Sequence, residues 1–205
     1  MNKDLFVTGI GTGIGKTIVS ALLTEQLKAD YWKPVQAGDL EQSDSFTVKK
    51  LISNTKSIVH PEAFRFKMAA SPHKAAHFEG VQVRREDFKK PHTHNQLVIE
   101  GAGGLMVPLS NSFLMIDLIE CLQCEVVLVI RNYLGCINHS LLSLEALTSR
   151  NIPIRQIVFN GEMDPQTEEI LRFHFPAHIQ AVKLPEFDIL NKQTLLACAA
   201  SVPIL

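Results

Sequence analysis

The sequence predicts an α/β fold with a mostly parallel central sheet and helices on both faces. Three observations lead there. Short β-branched runs alternate with longer amphipathic segments, which is how parallel strands joined by crossover helices read in sequence. A glycine-rich stretch, "TGIGTGIGKT" at 8–17, follows the first apolar run and opens a helical segment. Polar residues able to do chemistry recur directly after strand candidates, where an open parallel sheet collects its ligands.

Taken in order, the first strand is "DLFVTGI" (4–10), and the apolar segment near 16–29 is the helix it feeds. "DYWKPVQ" (30–36) is the second strand, followed by a helix near 44–53. Residues 55–94 are the least regular part of the chain. Within them "ASPHKAAHF" reads as a helix entered through Ser71-Pro72, because proline suits a first helical turn. Strands "NQLVIEG" (95–101), "EVVLVIR" (125–131), "RQIVFNG" (155–161) and "IQAVKLP" (179–185) then alternate with helices near 114–123, 138–149, 165–174 and 191–200.

With 205 residues, 46% hydrophobic and 20% charged, the chain can bury one substantial core and is expected to form one domain over 1–205. Twenty basic residues against 21 acidic ones give a formal charge of −1, so no global field draws it to nucleic acid or an anionic membrane. No stretch has the length of a membrane span or the form of a cleaved signal, and a cytoplasmic location is expected. Four cysteines at irregular spacing do not make a disulfide framework. The "CLQC" pair, Cys121 and Cys124, ends a helix, where the dipole disfavours a thiolate, so these thiols read as inert.

The glycine-rich loop carries the chemistry. Glycines 9, 11, 13 and 15 let backbone N–H groups turn toward an anion, and the helix beginning near Lys16 adds its positive end. Lys16 reaches outer phosphates and Thr17 offers a hydroxyl to Mg²⁺, as in a phosphate-binding P-loop. The loop is a lengthened variant, since Ile10 stands where the strict pattern has glycine. The dinucleotide reading fails on spacing and leaves Lys16 without a role. A P-loop NTPase-like fold follows, with ATP and Mg²⁺ as expected ligands. Asp44 in "EQSDSF" and Glu100 in "VIEGAGG" are the carboxylates placed to hold the metal. Asp44 also reads as a helix cap beside Ser43, and both roles can hold, whereas Glu100, ending an apolar strand, needs a cationic partner.

Three stretches together, "GIGTGIGKT" (9–17), "KPVQAG" (33–38) and "EGAGGLMVPLS" (100–110), resemble the dethiobiotin synthetase family, supported by "SPH" (71–73), "LGCINH" (134–139) and "VFN" (158–160). The resemblance implies an ATP-dependent carbon–nitrogen ligase of biotin synthesis. Its substrates are 7,8-diaminononanoate, CO₂ or bicarbonate, and ATP. By the same match, Lys33 and Lys16 are the catalytic cations, and Gly13, Ile14, Gly15, Lys16, Thr17, Ile18, Asp44, Glu100, Gly101, Ala102 and Gly103 surround the phosphates and metal. Asn160, Gly161, Pro185, Glu186 and Phe187 border the base, although Asn160 equally suits a turn before Gly161. Thr12, Lys33 and Ala37 face the substrate. Gly135, Cys136 and Asn138 receive its carboxylate from the neighbouring subunit of a homodimer. Ile10, Gly11 and Ala37 replace polar residues usual in the family, which weakens the expected grip on the diamine. The rival reading is a nucleotide-switched partition-type ATPase, whose first loop lysine has no counterpart at Gly11. A larger amide-forming ligase would need a second domain.

Overall fold

A computed structural model describes residues 3–202. The first half of the chain runs β1 (Leu5–Gly9), α1 (Lys16–Leu27), β2 (Asp30–Trp32), β3 (Val35–Ala37), α2 (Asp44–Leu51), β4 (Val59–His60), β5 (Phe64–Phe66) and α3 (Pro72–Phe78). The second runs β6 (Leu97–Gly104), β7 (Pro108–Ser110), β8 (Phe113–Leu114), α4 (Met115–Leu122), β9 (Glu125–Ile130), α5 (Cys136–Ser149), β10 (Ile154–Asn160), α6 (Pro165–His174), β11 (Ala181–Leu184) and α7 (Lys192–Ser201).

Seven strands form the main sheet in the order β11-β10-β9-β1-β6-β2-β4, and every pairing in it is parallel. Helices α1, α2 and α7 pack on one another, as do α5 and α6. Covered strands of this kind are apolar on both sides. Leu5–Val7, Leu97–Ile99, Val126–Ile130 and Ile157–Phe159 are accordingly all buried. The expected α/β architecture is therefore present, and the carboxyl ends of β1, β6, β9 and β10 share one edge of the sheet.

Several boundaries differ from the sequence reading for identifiable reasons. The strand expected over 30–36 is two strands. β2 pairs with β6 and β4, and after Lys33-Pro34 the chain leaves the sheet to pair β3 with β5. Pro34 has no N–H to continue the first ladder. Glu100 does not end its strand, because β6 continues through the glycines and Gly104 pairs with Gly9. Helix α5 begins at Cys136, two residues before the expected start, with Gly135 left-handed at φ 103° as its N-cap. The helix expected through Ser71-Pro72 is α3, with Pro72 in its first turn.

Candidate active site

The loop from Gly9 to Lys16 joins β1 to α1 and sets the site's geometry. Gly15 occupies the N-cap of α1 at φ 94°, a left-handed conformation costly for any residue with a Cβ. A Cβ there would also lie 2.0 Å from Asn160 Nδ2. The Asn160 amide donates to the Ile14 carbonyl at 2.9 Å, so the end of β10 clamps the loop from behind. Lys16 folds back over the loop and donates to the Gly11 carbonyl at 2.7 Å. Burial pushes its ammonium down to about 8, against the opposing pull of Glu100.

Facing the loop is a cluster drawn from four segments. Thr17 Oγ1 stands 2.9 Å from both Asp44 Oδ1 and Glu100 Oε1. The Lys33 ammonium lies 3.2 Å from Glu100 Oε1 and pairs with Asp44 Oδ2. Tyr31 donates its phenolic proton to Glu100 Oε2 at 2.9 Å. Burial by itself would lower the lysine's pKa, but Glu100 and Asp44 reverse this and hold Lys33 above the ordinary value. Burial would raise the Asp44 carboxyl, and Lys33 overrides it in the other direction. Ser43 rather than Asp44 caps α2, accepting from the Phe46 N–H at 3.2 Å, which leaves the Asp44 carboxylate free for the cluster.

A cavity of about 590 Å³ opens over these groups. Of the residues expected at the site, Thr12, Gly13, Gly15, Lys16, Thr17, Lys33, Ala37, Asp44, Glu100, Ala102 and Gly103 line it. Ile14 is buried beneath the loop, Ile18 packs against the core, and Gly101 backs onto Phe6. Asn160 and Gly161 close the end of β10, and Gly161 donates to the Leu184 carbonyl at 3.1 Å just before Pro185, Glu186 and Phe187. That group lies behind the loop and outside this cavity's lining. Gly135, Cys136 and Asn138 are outside it too, beside the fully exposed Leu134.

Two contributors escaped the sequence reading. Gln36 accepts from the Asp44 N–H at 3.3 Å and donates to the Gly38 carbonyl at 3.0 Å, bracing the loop that delivers the aspartate. Tyr31 was legible in principle. Its partner in register, Val98, lies two residues before Glu100 in β6 and so shares a sheet face with it. Cys124 is buried, and that burial pushes its thiol up to about 11, while Cys121 is exposed and its thiol is also raised above the ordinary value.

Two carboxylates and a hydroxyl are hard oxygen donors suited to Mg²⁺, which binds few protein ligands and completes its shell with phosphates and water. The pair already stabilises one cation, the Lys33 ammonium. The donor set therefore fits a magnesium-nucleotide. Among the described residues no group of three or more His, Cys, Asp or Glu is placed to hold an ion. No described helix is long and apolar enough to cross a membrane.

A parallel sheet, a glycine-lysine-threonine loop at the head of α1 and a cation-carboxylate cluster facing it define a P-loop nucleotide-binding protein. A ParA family ATPase from Chlorobium tepidum shares the fold at a TM-score of 0.53 and 12% identity, covering 97% of this chain and 90% of that one. Residues 3–194 match the family described as an AAA domain. The ATP-dependent dethiobiotin synthetase BioD of Christiangramia forsetii is 52% identical over 172 residues, covering 84% of this chain and 83% of that protein. That of Cytophaga hutchinsonii is 46% identical over 201 residues, covering 98% and 97%. The chain belongs to the ATP-dependent dethiobiotin synthetase family, and with it to the ATP-dependent ligases.

Proposed function

We propose that this chain carboxylates 7,8-diaminononanoate and closes its cyclic urea at the expense of ATP, giving dethiobiotin, ADP and phosphate, as a single catalytic domain in the cytoplasm. One amine nitrogen attacks the carbon of CO₂ and loses a proton, forming a carbamate. A carbamate oxygen attacks the γ-phosphorus of ATP and ADP leaves. The second amine then attacks the carbonyl carbon of the mixed anhydride, releasing phosphate and a proton.

Each of these species is an anion meeting an anion, so catalysis rests on cations fixed in position. The observation that carries the reading is Lys33, buried at the floor of the cavity opposite the phosphate loop. There its ammonium can neutralise a carbamate oxygen and the transferring phosphoryl group together. Lys16 serves the β- and γ-phosphates from the other side. Thr17, Asp44 and Glu100 would hold Mg²⁺, which when bound shields phosphate charge. Thr12 and Ala37 face the diamine. Asn160, with Gly161 and residues 185–187, borders the adenine. In a homodimer, the backbone N–H groups around Gly135 and Cys136 and the Asn138 amide would receive the substrate's carboxylate from the adjoining subunit. Exposed Tyr133, Leu134 and Ile137 give that segment an apolar surface for such contact.

The test mixes purified protein with the diamine, bicarbonate, MgCl₂ and several nucleoside triphosphates in turn. Diamine-dependent phosphate release together with a cyclic urea product is expected. ATP hydrolysis indifferent to the diamine would instead favour a nucleotide-switched binding protein.

A further inference from the structure

Glu100 is the most constrained member of the cluster. Its carboxylate is 1% exposed, and its two oxygens have separate duties. Oε1 meets Thr17 and Lys33 on the cavity side. Oε2 accepts one side-chain hydrogen bond, from the Tyr31 hydroxyl at 2.9 Å. Tyr31 itself is 0% exposed and sits in β2, the strand that pairs with β6 beside Glu100. Neither residue has room to move independently.

We infer that Tyr31 is a positioning residue, whose hydroxyl fixes the rotation of the Glu100 carboxylate so that Oε1 alone is presented to the metal and to Lys33. This rests on the proposed role of Glu100 as a magnesium ligand. A carboxylate can rotate about its last torsion over a broad range at little cost. With Thr17 and Lys33 on Oε1, the one buried donor on Oε2 removes that freedom before any ligand arrives. Outer-sphere hydrogen bonds orient ligating carboxylates in this way, and losing one costs about tenfold to a hundredfold in metal affinity or activity. The β-sheet supplies the rigidity. Tyr31 pairs with Val98 and Trp32 with Ile99, so the backbones carrying donor and acceptor are locked in register. Lys33 follows two residues after Tyr31, just past the end of β2, so one short segment supplies both the cation and the aim of the carboxylate beside it.

The test compares wild type, Tyr31→Phe, Glu100→Gln and the double variant. Calorimetry measures binding of a non-hydrolysable ATP analogue with and without MgCl₂, alongside thermal unfolding and the Mg²⁺ concentration needed for half-maximal turnover. In Tyr31→Phe, metal-free binding is expected to stay within about twofold, while the gain from Mg²⁺ shrinks about tenfold or more. In the Glu100→Gln background, Tyr31→Phe should cause no further loss. The double variant removes the buried charge together with its donor while Asp44 still pairs with Lys33, and the thermal unfolding curves show which variants are folded and comparable. A Tyr31→Phe protein that melts earlier but keeps the full magnesium gain overturns the inference and leaves Tyr31 a packing residue. Additive losses in the double variant overturn it as well. A wild type that gains nothing from Mg²⁺ removes instead the metal role of Glu100, and this inference with it.

Discussion

Lys33 and Glu100 are 67 residues apart in sequence and 3.2 Å apart in the fold, and both are almost wholly buried. Two charges taken from water to this depth hold only if each compensates the other, and removing one leaves a costly orphan. Asp44 is the ammonium's second partner, so one cation sits between two carboxylates. In the proposed mechanism a magnesium-nucleotide would take over the carboxylates and leave the ammonium for the anionic reaction partners.

Lys33→Ala should therefore separate chemistry from binding. Turnover is expected to fall by about a hundredfold to a thousandfold, the scale of losing one preorganised electrostatic contact to a transition state. Nucleotide affinity should change far less, since Lys16 and the loop's N–H groups remain. Steady-state rates set against calorimetric nucleotide binding measure the two separately. Turnover within a few-fold of wild type would remove Lys33 from the mechanism.

Gly38 closes the segment that begins with Lys33. It is left-handed at φ 78°, and a Cβ there would lie 2.6 Å from Ala69 Cβ and 2.7 Å from its Cα. Ala69 belongs to the cavity wall leading into α3. Gly38→Ala should cost about 2–4 kcal/mol, combining the left-handed penalty with overpacking against backbone that cannot give. The wall should also shift. Denaturant unfolding reads the first effect, and a raised KM for the diamine with little change for ATP reads the second.

Much of this arrangement was legible in the sequence because the signals were local. The Gly15-Lys16-Thr17 run names its own role, and the alternation of strands and helices predicts which sheet edge carries it. What was hidden depended on pairing between distant segments. The 30–36 run reads as one strand because Tyr31, Trp32 and Val35 all favour β structure, and the run shows nothing of the switch at Pro34 from one sheet to another. The sequence reading ends β6 at Gly101 because Gly103 and Gly104 are poor strand formers, yet Gly104 is the residue that packs close against Gly9 and Gly11. Short strands β4 and β5 exist through their partners β2 and β3 rather than through any pattern of their own.

Asn160 is tied to the loop through Ile14, so its removal should be felt at the phosphates as well as at the base. Asn160→Ala leaves a buried carbonyl without its donor, and one such hydrogen bond is worth about 0.5–1.5 kcal/mol. Affinity for ATP should fall about threefold to tenfold. Inorganic triphosphate, which has no base, should lose affinity similarly. Competition binding with both ligands checks this, and a loss confined to ATP would mean the amide acts on the base alone.

Glu25 gives a pH dependence set well away from the phosphates. It lies near the end of α1, 2% exposed, and accepts from the Lys28 ammonium at 2.8 Å, the Ser53 N–H at 2.6 Å and the Asn54 N–H at 3.0 Å. Burial alone would raise its carboxyl, but these donors outweigh it and bring the pKa from 4.5 down to about 2. Above about pH 4.5 the carboxylate is ionised in folded and unfolded chains alike, and the whole benefit of the depressed pKa is present. As pH falls toward about 2 the unfolded chain takes up the proton first, so the benefit drains away, and below that both states are protonated. The shift corresponds to about 3 kcal/mol at neutral pH. Glu25→Gln should be less stable than wild type by about 2–3 kcal/mol near pH 7, with the gap closing as pH drops through about 4 to about 2. Urea unfolding of both proteins across that range measures the gap, and a difference that stays constant down to about pH 2 would show that the donors act through geometry rather than through the carboxylate's charge.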